Sequence, residues 1–173
     1  MDLTTRVFAG FVLVASAAVL GTALLSEYWG GLMPCELCLL QRWPWYATIA
    51  LALIMVLVDG GRAAAWVLAL CGVVLAAGAA LAFYHVGVEQ HWFAGPTACT
   101  APAAGAMTLE QMKQQILGTA PVLCDRPAWT LFGVSMAGWN LLASLIMTGC
   151  CLAALLHGAR RRGIALGVSG GTA

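Results

Sequence analysis

Three stretches of this chain, 7–26, 63–84 and 127–156, run for twenty residues or more without a charged side chain. About 20 mostly apolar residues cross a hydrocarbon core about 30 Å thick. The pattern therefore restricts the chain to folds that live in a bilayer. The stretch 43–58 is also charge-free but shorter, and it reaches spanning length only if its helix starts near Leu37. That start puts Arg42 in the first turns and Pro44 two residues later. Proline is tolerated near a helix start and within membrane helices. An arginine at that depth must reach the interface or find a partner. The third long run exceeds a span, so Pro127 and Trp129 are assigned to the interface. The expected spans are 7–26, 38–58, 63–84 and 135–156.

Composition agrees with this reading. Of the 173 residues, 62% are hydrophobic and 9% charged, against about 25% charged in a soluble domain. A net charge of +1 also argues against a nucleic-acid partner held by phosphate neutralisation. The expected fold is an all-α membrane protein, a four-transmembrane-helix bundle forming one domain over 1–162, with a disordered cytoplasmic tail at 163–173. Arg6, Arg62 and Arg160–Arg162 share the side of both termini, whereas Arg42, Lys113 and Arg126 lie opposite. By the positive-inside rule both termini are cytoplasmic, and the loops 27–37 and 85–134 face the periplasm of a bacterium. The first span reads as retained, because no small-x-small cleavage site precedes Glu27. Within the long loop, Thr108-Leu109-Glu110-Gln111 reads as a capping box. Leu109, Met112 and Ile116 then share one face, so a short amphipathic helix lying on the membrane surface is expected there.

The seven cysteines sort by side. Cys71, Cys150 and Cys151 fall within spans, where cysteine behaves as a small hydrophobe. Cys35, Cys38, Cys99 and Cys124 fall outside, where an oxidising compartment favours disulfides. Cys35-Glu36-Leu37-Cys38 is a C-x-x-C, a pattern read either as a redox dithiol or as half a metal site. A position at the start of a helix stabilises a thiolate at Cys38, and Arg42 follows one turn later on the same face. Cys99 and Cys124 bracket the surface helix. A disulfide between them either closes the loop, stabilising it by about 3 kcal/mol, or serves as a second redox pair. Two dithiols on one membrane face make a thiol–disulfide relay. Such a relay needs an acceptor, and no haem, dinucleotide or iron–sulfur pattern is present. A lipid-soluble quinone needs none.

The stretches PCELCLLQR at 34–42, YHVGVEQHWFAGPTAC at 84–99 and CDRPAWTLFGVSMAGWN at 124–140 resemble the DsbB family of bacterial disulfide-forming membrane proteins. The resemblance covers the chain from Val7 to about Arg162. It implies a membrane thiol oxidase that passes two electrons from a periplasmic DsbA-like dithiol to the quinone pool, ubiquinone or menaquinone. Cys99 and Cys124 would be the disulfide attacked by reduced DsbA. Cys124 would then attack Cys35 of the Cys35–Cys38 pair, freeing Cys38 toward the quinone. Arg42 and His85 match quinone-site residues of the family, although the spacing from His85 to Cys99 is one residue longer than in well-known members. Gln41 stands where some members carry an acid, and Pro44 is a further departure.

Two other readings compete. The vitamin-K-epoxide-reductase type also joins a quinone, four spans and two cysteine pairs, but there the C-x-x-C follows the loop cysteines, whereas here it precedes them. A membrane metal protein would use Cys35, Cys38 and two of His85, His91, Cys99 and Cys124 in a closed tetrahedral site, yet no second metal-type spacing completes it. His91 and His157 are assigned no role. Trp43, Trp45, Trp92 and Trp129 are expected to form an aromatic belt on the outer face.

Overall fold

The computed structural model describes residues 3–57, 61–96, 108–110, 113 and 123–169. Among the described residues the principal elements are α1 (Leu3–Tyr28), α2 (Glu36–Leu40), α3 (Arg42–Leu57), α4 (Gly61–Glu89), β1 (Thr130–Leu131), β2 (Val134–Ser135) and α5 (Met136–Ser169). Four stretches, Arg6–Tyr28, Glu36–Leu57, Arg62–Glu89 and Met136–Arg160, are long and apolar enough to cross a membrane. The architecture is the expected four-helix membrane bundle.

Its surface is apolar outward. Val14, Leu57, Trp66, Val73 and Ile146 are all largely exposed, an arrangement that a water-soluble monomer does not sustain. The interior is built from small and medium side chains, including Ala9, Val12, Ala52, Met55, Cys71, Leu75 and Cys151. Small residues let membrane helices approach closely, which is how they gain packing energy when lipid is as apolar as the core. Gly78 is one such approach: a Cβ there would lie 3.0 Å from the Pro44 Cβ of α3. Helix α4 packs along α5 and α3, and α3 along α1, whereas α1 and α5 scarcely touch. The bundle is thus open along one side, between its first and last helices.

Four boundaries differ from the sequence reading, each for a local reason. The second span is broken: α2 ends at Leu40 and α3 begins at Arg42. Pro44 has no N–H for the Leu40 carbonyl and its ring crowds that carbonyl, so the helix restarts with Pro44 in its first turn. Glu27 and His85, expected in outer loops, lie within α1 and α4. The extra turn of α4 is closed by a Schellman motif, with Trp92 N–H donating to the Gly87 carbonyl at 2.7 Å and His91 N–H to Val88 at 3.1 Å. His91, given no role from sequence, takes the left-handed position of that motif with φ 59°, a place usually held by glycine. The tail expected to be disordered from 163 continues as helix to Ser169, because a formed helix gains one hydrogen bond per added residue.

The hairpin between β1 and β2 turns through Phe132 and Gly133, both at positive φ (52° and 78°), as a two-residue primed turn requires. Ser135 then caps α5, its Oγ accepting from Gly138 N–H at 3.0 Å. Trp139 donates its indole N–H to the Leu131 carbonyl at 3.2 Å, tying the hairpin to α5. Leu109, Glu110 and Lys113 are helical; the rest of the expected surface helix, with Met112 and Ile116, lies outside the described residues.

Candidate functional site

The C-x-x-C opens α2. Cys35 is the N-cap in extended conformation (φ −74°, ψ 170°), and its sulfur accepts from Cys38 N–H at 3.3 Å. The Cys35 thiol in turn donates to Cys38 Sγ at 2.9 Å. In this five-residue helix the contact made at the Cys38 sulfur is that direct S–H donor. Donating that hydrogen bond, together with burial, pushes the Cys35 pKa up from 9.0 to about 12, against an opposing contribution from His85. Cys35 is the sulfur that keeps its proton, and that S–H is the donor that Cys38 Sγ receives.

His85 reaches the dithiol from α4. Its ring is buried, with Nε2 3.7 Å from Cys35 Sγ and 4.0 Å from Glu89 Oε1 one turn on. On its other side the ring nitrogen Nδ1 is hydrogen-bonded to the Gln41 amide, which stands at the break between α2 and α3. Gln41 continues to Asn140 of α5, and Asn140 to the indole of Trp45 at 2.8 Å. Trp45, expected in the aromatic belt, is instead 2% exposed. Its indole N–H needs a partner when buried, and Asn140 supplies one.

Cys124 is fully buried and packs with Cys35, Leu37 and Val88, with Cys38 and Tyr84 against the same cluster. Two of the sequence's four outward cysteines, 89 positions apart from Cys35 to Cys124, are thus brought together. Cys99 lies outside the described residues. Arg42 is buried and pairs through Nη1 with Glu27 Oε2 at the end of α1. The guanidinium expected beside a thiolate is therefore anchored by a carboxylate. Both Arg42 and Cys38 line a cavity of about 350 Å³, walled mainly by apolar residues of α1 and α5 together with Trp45 and His85. That size and character suit a small-molecule site. The cavity sits where α1 and α5 scarcely touch, and Leu32–Pro34 together with Ala128, Trp129 and Leu131 also line it.

The sequence reading missed Glu27, Glu89, Asn140 and the hydrogen-bonding of Gln41. A signal existed for two of them. Arg42 within a span demands a counter-charge, and Glu36 and Glu27 are the two acids that most nearly precede it; Asn140 is the amide side chain inside an otherwise apolar span. Neither residue announces its partner. For a metal, the Sγ atoms of Cys35 and Cys38 and a nitrogen of His85 lie within 4.8 Å of one another. Among the described residues this group has three members, one short of a closed tetrahedral site.

Comparison with known proteins gives a consistent picture. Residues 5–154 match the family described as Disulfide bond formation protein DsbB. A protein named Disulfide bond formation protein B from Verminephrobacter eiseniae is 29% identical over 170 residues, covering 92% of this chain and 91% of its own. The protein of the same name from Methylobacillus flagellatus is 31% identical over 141 residues, 79% of this chain and 82% of its own. An uncharacterized protein of Rickettsia prowazekii is 24% identical over 138 residues, 79% of each chain. No solved structure matches the chain at comparable significance.

Proposed function

The chain belongs to the DsbB family of membrane proteins of disulfide bond formation, and from that premise we propose that it is a quinone-dependent thiol oxidase serving a DsbA-like periplasmic partner. The observation that carries the reading is the buried pair Cys35 and Cys124 with a partly buried Cys38 packed against them, beside an apolar cavity lined by Cys38 and Arg42.

The work of the residues follows from their chemistry. A partner thiolate attacks Cys99 of a Cys99–Cys124 disulfide, the new bond forms at Cys99, and the electron pair passes to Cys124. Cys124 attacks Cys35 of a Cys35–Cys38 disulfide, and the electron pair passes to Cys38. The partner's second thiolate then displaces Cys99, and the partner leaves as the disulfide. Cys99 attacks Cys124, restoring the Cys99–Cys124 bond and freeing Cys35, so that Cys35 and Cys38 hold the two electrons. The packing of Cys124 against Cys35 supports this order, since exchange needs the attacking sulfur at the attacked one. Cys38 is then the sulfur facing the cavity. A quinone bound there supplies the two-electron acceptor. Its head group would be held by Arg42, His85 and Cys38, and the apolar walls of α1 and α5 exclude water from them. The open side between those helices suits a lipid-soluble molecule, either ubiquinone or menaquinone. The cysteines face the periplasm and both termini the cytoplasm of the bacterial inner membrane, in accord with the distribution of arginines.

Two alternatives fare worse. The vitamin-K-epoxide-reductase reading conflicts with the chain order of the cysteine pairs. The metal reading has three ligand candidates among the described residues, and two of those are already hydrogen-bonded to each other at 2.9 Å. Stopped-flow absorbance tests the proposal. Protein loaded with quinone and mixed with a reduced DsbA-type dithiol is expected to consume one quinone per dithiol. Cys38→Ser is expected to abolish the reaction and Arg42→Ala to slow it. No quinone consumption by the unaltered protein overturns the reading.

A further inference from the structure

An indole and two amides link the bundle interior to His85, and the sense of every hydrogen bond in that chain is determined by its first member. Trp45 Nε1–H can only donate, and it donates to Asn140 Oδ1. With its oxygen so occupied, Asn140 turns its NH2 toward Gln41, where Nδ2 donates to Oε1. Gln41 must then present its own NH2 to His85, and Nδ1 must accept. A neutral imidazole that accepts at Nδ1 carries its proton on Nε2.

We propose that Gln41, oriented by Asn140 and Trp45, is a positioning residue that locks His85 as the Nε2–H tautomer. The ring thereby offers a hydrogen-bond donor, and no free lone pair, to the dithiol side of the site. The surroundings of Nε2 agree. Cys35 Sγ at 3.7 Å and Glu89 Oε1 at 4.0 Å are both acceptors. The Glu89 side chain is 4% exposed, and among the described residues its Oε2 has no hydrogen-bond partner, so a donor from the ring side suits this carboxylate. Two roles are excluded for His85 while the lock holds. It does not remove the proton of Cys35, because Nε2 already bears one. It also does not ligate a metal beside Cys35 and Cys38, because ligation needs that nitrogen bare. The tautomer is independent of the proposed thiol oxidation; only its use, as a donor to Cys35 during exchange, rests on that reading.

Nitrogen NMR of the full chain in lipid nanodiscs, reduced and with ring-15N histidine, tests the lock. The His85 signals are assigned by their disappearance in His85→Gln. The expected wild-type pattern is a bare Nδ1 and a protonated Nε2. In Gln41→Glu a carboxylate faces Nδ1 and can only accept, so the proton is expected to move to Nδ1. A wild-type ring protonated at Nδ1, or averaged between tautomers, overturns the proposal, as does a bare Nδ1 retained in Gln41→Glu. Should Gln41→Glu fail to fold, Trp45→Phe carries the same test. Loss of the lone obligatory donor frees both amides to turn, so tautomer averaging is expected and an unchanged spectrum overturns the assignment. Quinone consumption measured on the same samples separates the two claims: an inactive protein with the expected tautomer refutes the oxidase reading alone.

Discussion

Glu27→Gln tests whether Arg42 depends on the end of α1 for its charge balance. The Arg42 and Glu27 side chains are 10% and 20% exposed. Exposed ion pairs contribute about 0–1 kcal/mol, whereas breaking a fully buried pair costs about 3–5 kcal/mol because the surviving charge is left without a partner. With Glu27 one-fifth exposed, water recovers part of that loss, and the expected destabilisation is about 2–3 kcal/mol. Most of it is the penalty of an orphaned guanidinium. Adding Arg42→Met to Glu27→Gln removes that orphan, so the double variant is expected to be more stable than Glu27→Gln alone. Unfolding in mixed micelles by denaturing detergent, followed by tryptophan fluorescence, gives the four corners of the cycle. A loss below about 0.5 kcal/mol in Glu27→Gln, or effects additive to within about 0.5 kcal/mol, would falsify the reasoning and put the counter-charge of Arg42 elsewhere.

Alkylation provides a second check. With the Cys35 pKa raised from 9.0 to about 12, its thiolate fraction at pH 8 falls about a thousandfold, since only the thiolate reacts. Reduced protein is therefore expected to leave Cys35 unmodified under conditions that alkylate an ordinary thiol, as read by mass spectrometry; rapid labelling would refute the assignment. The same shift has a stability consequence. Its contribution is fully present below about pH 9 and is lost as pH rises toward about 12, so reduced protein should lose stability over that window and Cys35→Ser should lose less. At the α3–α4 contact, Gly78→Ala places a Cβ 3.0 Å from Pro44 Cβ and 3.2 Å from its Cγ. That overpacking is expected to cost about 1–3 kcal/mol. Gly10→Ala, where a Cβ meets nothing within 4 Å, is expected to be neutral or stabilising by up to about 1 kcal/mol.

Much of the fold was legible without coordinates because spanning the bilayer is a property of local composition. A charge-free run of twenty residues crosses a membrane whatever packs beside it, and a C-x-x-C ahead of such a run opens a helix. Pro44 likewise carried the break at Gln41 in its missing N–H, although its consequence, a second span in two pieces, needed the helix to be seen. The polar contacts were different. Glu27 with Arg42, Gln41 with His85, Asn140 with Trp45 and Cys124 with Cys35 each join residues 15 to 95 positions apart. A soluble helix advertises its buried face by a polar stripe opposite. These helices are apolar all round, so the sequence is silent about how each is rotated and how deep it sits. Rotation and depth decide which side chains meet, and they are set by packing between small residues such as Gly78 against Pro44. Sequence alone therefore determined that this chain is a four-span membrane protein with a dithiol at the start of a helix. Tertiary structure alone decided that His85 lies inside α4, that Arg42 is held by Glu27, and that Trp45 is turned inward to Asn140.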